Sequence, residues 1–143
     1  MGTGRSGTLP EELTLKELAE RLAAALPPTA GGWCIAGRSD QPIRRVALCG
    51  GAGDSLFDAV RATDAQVYIT ADLRHHPASE HLEDGRPYLL CGTHWATEWV
   101  GLEPLARRLT EGAHVCGASL SVQVSRIVTD PWALRLPTGP DRA

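Results

Sequence analysis

The sequence predicts an α/β domain with a mixed, largely parallel sheet flanked by helices. Three apolar runs of strand length, at residues 43–49, 66–70 and 87–92, alternate with stretches of helical periodicity. Such alternation is typical of parallel strands joined by helical crossovers. The chain has 143 residues, 43% of them hydrophobic and 22% charged, which suits a single folded domain.

The N-terminal part combines a lead-in with one amphipathic helix. Glycines and a proline punctuate residues 1–13, which we expect to be flexible. Thr14 is placed to cap a helix, and Glu17 completes a capping box. Leucines follow at helical spacing until Pro27 ends the helix. Residues 31–42 are predicted to be a loop with a short strand at 33–36.

The strands of the second part are each followed by a helix. We expect helices from Asp54 or Ser55 to about residue 63, over residues 78–84, and over residues 93–111 with a kink at Pro104. Alternation of apolar and polar residues within 118–128 predicts a last strand at a sheet edge. Residues 14–136 then form one domain, and residues 137–143 form a polar tail.

Charge and hydropathy argue against two classes of partner. The net charge is −3 and no basic stripe occurs, so nucleic acid is not an expected partner. No run of 18 apolar residues occurs, which argues against a membrane span or a membrane partner. Residues 1–9 lack the apolar segment of a signal peptide, so we expect a cytoplasmic protein.

Four scattered cysteines give no sign of a disulfide framework or a zinc knuckle. No two of them are spaced as Cys-x-x-Cys. We expect most of them to be small buried apolar residues. The glycine run at residues 50–53 matches neither a dinucleotide fingerprint nor a Walker loop, and Asp54 would repel phosphate, so a tight strand-to-helix turn is the simpler interpretation.

Two loops at strand ends carry residues suited to metal ions. Asp72, His75 and His76 follow one strand, and Asp72 is placed to ligate a metal or to orient a histidine. His94 and Glu98 follow the next strand at i and i+4, so both side chains stand on one helix face. The alternatives are that the histidine pair is simply a polar part of the solvent-exposed surface, and that His94 and Glu98 only form a hydrogen bond with each other on the helix surface.

The two loops lie at the same end of the predicted sheet, which strengthens the metal hypothesis. A mixed nitrogen and oxygen set favours one or two divalent transition ions, Zn, Fe, Mn or Ni, over Ca or Mg. His81 and His114 are isolated and are not expected to be ligands.

Four motifs in order give the chain a resemblance to a known family. Residues 46–132 are similar to the C-terminal lobe of the Nif-three-like dinuclear metal-centre family, which is GTP cyclohydrolase I type 2-like. The matching segments are residues 46–53, 67–76, 93–98 and 128–132. The resemblance implies two similar α/β lobes with a metal pair between them, and it makes His94 and Glu98 the ligands of a Gly-His-x-x-Thr-Glu motif. Ala71, Thr93 and Cys91 depart from the family pattern.

The chain is about half the length that two lobes require, so we expect a homo-oligomer, a dimer or larger. By the pseudo-symmetry of the lobes, His75 and His76 of one chain would face His94 and Glu98 of another.

The resemblance implies a metal-dependent hydrolase of a small metabolite, such as a purine or nucleotide-like ring or an amide or imine bond. Glu98 or Asp72 would accept the proton, and metal-activated water would be the nucleophile. The alternatives are a non-catalytic metal-handling protein and a lobe that needs a partner chain.

Overall fold

A five-stranded mixed sheet forms the centre of the molecule in the computed structural model, which describes residues 3–136 and residue 139. The strand order is β1-β3-β4-β5-β2. The central strands β3, β4 and β5 pair in parallel, whereas β1 and β2 pair antiparallel at the two edges. The strands are β1 Arg5–Thr14, β2 Cys34–Ala36, β3 Pro42–Ala52, β4 Val67–Ala71 and β5 Tyr88–Gly92.

Helices follow the strands much as the sequence predicts. A 3-10 turn, Asp54–Leu56, leads into the second helix. Thr14 caps the first helix, and both hydrogen bonds of the predicted capping box with Glu17 are present. The helices are α1 Leu15–Ala25, α2 Phe57–Arg61, α3 His75–Glu83, α4 His94–Trp99 and α5 Leu102–Val115.

The apolar core lies on both faces of the sheet. All five residues of β4 are buried, and they alternate between the two faces because side chains alternate along a strand. Val67 and Ile69 pack with the leucines of α1, and Tyr68 packs with Phe57 and Val60 of α2. The burial of β4 on both faces is typical of the centre of a parallel sheet.

Two predictions about strands are wrong. Residues 5–14 form edge strand β1, although a flexible lead-in over residues 1–13 was expected, because ladder bonds to β3 override the weak strand preference of this stretch. The strand predicted within residues 118–128 is not assigned in the structure. This stretch has the alternating pattern, but no neighbouring strand pairs with it among residues 3–136.

Two predicted helix boundaries also differ. The helix expected at 78–84 begins at His75, because Pro77 fits the first turn, where no helical N–H partner is needed. The long helix predicted over 93–111 is divided at Val100 and Gly101, before Pro104, which lies in the first turn of α5.

The predicted polar tail, residues 137–143, lies outside the described residues except for Gly139. Among the helices within residues 3–136, none is long and apolar enough to cross a membrane.

Candidate metal centre

The carboxyl ends of the three parallel strands bring the candidate residues to one edge of the sheet. Gly51 lies at the end of β3, Asp72 directly follows β4, and His94 begins α4 two residues after β5. Loops beyond the carboxyl ends of parallel strands are where such folds place polar sites. The predicted common edge for Asp72, His94 and Glu98 is therefore present in the structure.

His94 lies between two carboxylates. Its Nδ1 is 2.7 Å from Oδ2 of Asp72, and its Nε2 is 3.2 Å from Oε1 of Glu98. About half of each side chain is exposed: 49% for His94, 53% for Asp72 and 57% for Glu98. The cluster is thus open to solvent and to a ligand.

The charge around the imidazole ring favours a cation at Nε2. The hydrogen bond to Asp72 raises the pKa of His94 above its ordinary value, and Glu98 raises it further. When Nδ1–H donates to Asp72, the neutral ring directs its Nε2 lone pair at the carboxylate of Glu98. Two electron-rich groups that converge in this way are stabilised by a proton or a metal ion between them.

Gly51 makes the space in which His94 and Glu98 meet. A Cβ atom added at Gly51 would lie 2.5 Å from Oε1 of Glu98 and 3.0 Å from Nε2 of His94. Its φ of +71° also lies in the left-handed region that favours glycine. A side chain at this position would occupy the point where the two potential ligand atoms converge.

Thr97 holds helix α4 against the end of β3. Its Oγ1 accepts a hydrogen bond from the backbone N–H of Gly51 at 3.0 Å and donates to the carbonyl of His94 at 3.0 Å. On the next strand, Oγ1 of Thr70 donates to the carbonyl of Gly51 at 2.9 Å. Both backbone groups of Gly51 are therefore fixed by side chains of neighbouring elements.

Asp72 adopts an unusual backbone conformation. Its φ is +53°, and it is the one residue other than glycine with positive φ in the described part of the chain. Such a conformation at a non-glycine residue is uncommon and concentrates at functional sites. The turn directs the carboxylate of Asp72 towards His94 rather than towards the neighbouring His75 and His76.

A family model described as Duf34/NIF3 (NGG1p interacting factor 3) matches residues 1–131. The chain belongs to the DUF34/NIF3 family. The resemblance of residues 46–132 to Nif-three-like proteins is thereby confirmed.

Two curated relatives are similar to this protein over nearly the whole chain. A GTP cyclohydrolase 1 type 2 homolog of Mycobacterium tuberculosis is 50% identical over 144 residues, which span 99% of this chain and 37% of the relative. A protein of the same name from Streptomyces coelicolor is 47% identical over 97% of this chain and 49% of the relative. The chain therefore spans half or less of the length of these relatives.

A solved NIF3 structure supports the fold. The Bacillus cereus protein related to NIF3 has a TM-score of 0.81 and 26% identity, covering 94% of this chain and 36% of that one. The predicted α/β fold, equivalent to one lobe of the NIF3 architecture, is confirmed by this similarity.

His75 and His76 stand apart from the His94 cluster. Both are exposed in the first turn of α3, and their rings contact each other at a centroid distance of 5.3 Å. No hydrogen bond or ion pair within residues 3–136 joins either ring to Asp72, His94 or Glu98. Within that same range, no group of three or more His, Cys, Asp or Glu side chains is arranged to hold a metal ion.

Sequence reasoning missed the roles of Gly51 and Thr97. It assigned the glycine run at residues 50–53 to a tight strand-to-helix turn and gave Thr97 no part in the site. The signal that was available is the pair Gly50-Gly51 at the end of a strand, on the same sheet edge as His94. A second glycine there permits the close approach of another element, and Thr97 is the residue of α4 that makes it.

Proposed function

We propose that this chain supplies part of the metal centre of a metal-dependent hydrolase that acts on a small metabolite. The convergence of His94 Nε2 and Glu98 Oε1 above Gly51 carries the proposal, since the pair is 3.2 Å apart in a space that any side chain at residue 51 would fill. Imidazole and carboxylate donors suit Zn, Fe, Mn or Ni.

His94 and Glu98 are the proposed ligands, and Asp72 orients the histidine. By accepting the Nδ1–H bond, Asp72 fixes the tautomer that leaves Nε2 free to ligate. A divalent transition metal ion held by His94 and Glu98 would polarise a substrate carbonyl or imine bond and activate water as a nucleophile. Asp72 or Glu98 would be the proton acceptor. The names of the relatives support a purine or nucleotide-like ring as substrate.

The remaining ligands are proposed to come from a second copy of the chain. Two side chains do not complete a metal site, and the exposed His75 and His76 are uncommitted donors on the same sheet edge. In a homo-oligomer, a dimer or larger, the histidine pair of one copy would face His94 and Glu98 of the other. A lobe from a separate partner chain is the alternative source.

The test is the metal content of protein purified without chelator, measured by elemental analysis as moles of each transition metal per chain. We expect about one or two ions per chain, by the stoichiometry of catalytic metal sites. His94→Ala should lose the metal and the hydrolysis of nucleotide substrates together.

His114→Ala is the matched control, because His114 is also an exposed helical histidine, on α5. It should keep the metal. A protein that stays metal-free after anaerobic loading with Fe, Mn and Zn would contradict the proposal for this chain alone. Metal retention without turnover of any nucleotide would instead favour metal handling over catalysis.

A further inference from the structure

Two of the four cysteines lie opposite each other on neighbouring strands. In the antiparallel pair of β2 and β5, Cys34 is the direct register partner of Cys91. Both thiols are free, Cys34 is exposed, and Cys91 is half-buried. The proposed hydrolase site uses neither residue.

The register places the two side chains within reach of a disulfide. Directly opposite residues of an antiparallel pair have Cα atoms about 4.5 or 5.5 Å apart, and their side chains share one face of the sheet. Disulfides span Cα distances of about 4.4–6.8 Å. Burial raises the pKa of the Cys91 thiol, and the nearby Cys34 raises it further, which is consistent with two adjacent thiols.

We propose that Cys34 and Cys91 are a thiol–disulfide exchange site, in which a low-molecular-weight disulfide oxidises the pair to a bond across β2 and β5. The thiolate of the exposed Cys34 attacks one sulfur of the small disulfide and releases one small thiol. Cys91 then loses its proton and attacks the Cys34 sulfur of the mixed disulfide, which releases the second small thiol. The two electrons of the protein thiols thereby reduce one small disulfide to two thiols.

The bond would tether the segment that covers the start of helix α4. This segment, residues 29–36, packs on the two residues before His94. Thr29 accepts a hydrogen bond from the hydroxyl of Thr93 at 3.1 Å, and a Cβ at Gly92 would lie 3.0 Å from the ring of Trp33. Strand β2 has only three residues, so the covalent bond would add a fixed point to a short edge.

The test is oxidation of the reduced, purified chain with excess oxidised glutathione, followed by alkylation, intact mass measurement and peptide mapping. We expect loss of the two alkylatable thiols of Cys34 and Cys91, a linked peptide containing both, and no glutathione retained on either of these two residues. Cys91→Ser should instead accumulate a stable glutathione adduct on Cys34, and Cys34→Ser should leave Cys91 free.

Cys116→Ser is the matched control, since Cys116 is the other exposed cysteine. At Cys34 and Cys91 this variant should oxidise as the unmodified protein does. A stable glutathione adduct on Cys34 in the unmodified protein, unreacted thiols, or a bond between Cys34 and Cys116 would each overturn the inference. The readout needs no metal, so its result is independent of the proposed hydrolase function.

Discussion

Gly51 acts through the absence of a side chain. A Cβ at this position would contact both Glu98 Oε1 and His94 Nε2, at 2.5 and 3.0 Å. Gly51→Ala should therefore weaken metal binding by tenfold or more. Because alanine is strained at the φ of +71° that Gly51 adopts, the same substitution should also lower the free energy of unfolding by about 1–2 kcal/mol. Isothermal titration with Zn and urea denaturation measure the two effects.

Gly112→Ala is the control for this substitution. Gly112 lies in α5, and a Cβ there would meet no atom within 4 Å. Alanine should leave metal binding unchanged and raise the free energy of unfolding by up to about 1 kcal/mol, the difference in helix propensity. Unaltered metal affinity in Gly51→Ala would show that the space above Gly51 is not the metal site.

His81 makes stability depend on pH through its burial. It is fully buried, stacks on Phe57 at 4.4 Å, and its Nε2 lies 2.8 Å from the carbonyl of Pro87, while Nδ1 has no partner within the described residues. Burial lowers the pKa of His81 below 6.5. The unfolded chain therefore binds the proton more tightly, and the free energy of unfolding should fall as the pH falls below about 6.5.

His81→Gln tests this pH dependence, because glutamine keeps an N–H donor for Pro87 but does not titrate. Urea denaturation between pH 7.5 and 5 should show a smaller slope in the variant, by up to about 1.4 kcal/mol per pH unit. His94 affects the free energy of unfolding in a different pH range. Its raised pKa gives stability that is lost as the pH rises above 6.5. Equal slopes below pH 6.5 would contradict the role of His81.

At the scale of elements, a hydrogen bond between Thr97 of α4 and Gly51 of β3 links the two elements. Thr97→Val removes the acceptor of the backbone N–H of the buried Gly51 while it keeps the shape of the side chain. The free energy of unfolding should fall by about 1–2 kcal/mol, the cost of an unpaired buried donor, as measured by urea denaturation.

Thr110→Val serves as the comparison for Thr97. The Thr110 hydroxyl also bonds a helical carbonyl, that of Ala106, but on the exposed surface of α5. This variant should change the free energy of unfolding by less than about 0.5 kcal/mol. A similar change in both variants would mean that Thr97 contributes only through its own helix.

The elements that sequence predicts best are those whose cause is local. The capping box of Thr14 and Glu17, the apolar run of β4 and the stop at Pro27 all act within a few residues, and the structure contains each of them. Strand β1 depends on pairing with residues 42–48, which no local pattern reveals. The alternation within residues 118–128 predicts a strand that is not assigned in the structure, because a local pattern does not show whether a partner strand is available.

The same distinction between local and long-range causes applies to the candidate site. The i, i+4 spacing of His94 and Glu98 is visible in the sequence, and so is the acidic residue after β4. The carboxylate of Asp72 points towards His94 rather than towards the nearby His75. This direction depends on the positive φ of Asp72 and on the strand that precedes His94. Contacts between elements that are distant in the sequence can be identified only once the fold is known.

At the scale of the whole molecule, helix α5 leaves apolar surface uncovered. None of its residues is buried, and Leu102, Leu105 and Leu109 are 40–50% exposed. Apolar residues of the following segment are also exposed, including Ile127 and Trp132. Such a surface on one molecule is typical of a face that associates.

Leu105→Glu should therefore shift the proposed oligomer towards the monomer in analytical ultracentrifugation. Introduction of a charge into an apolar interface costs several kcal/mol, so a shift of tenfold or more in the association constant is expected. Arg107→Glu also places a glutamate on α5, where it reverses an existing charge, and should leave association nearly unchanged. A monomeric unmodified chain at micromolar concentration would contradict self-association.

Strand β1 has a practical consequence for anyone who shortens the protein. The sequence pattern suggests that residues 1–13 can be removed. In the structure, however, residues 5–8 and 13–14 of β1 pair with β3, and Leu13 belongs to the core. A truncated chain would present the backbone of β3 as a bare edge, a template for aggregation with other chains. Insolubility of such a fragment would then report the missing strand and not a defect of the metal centre.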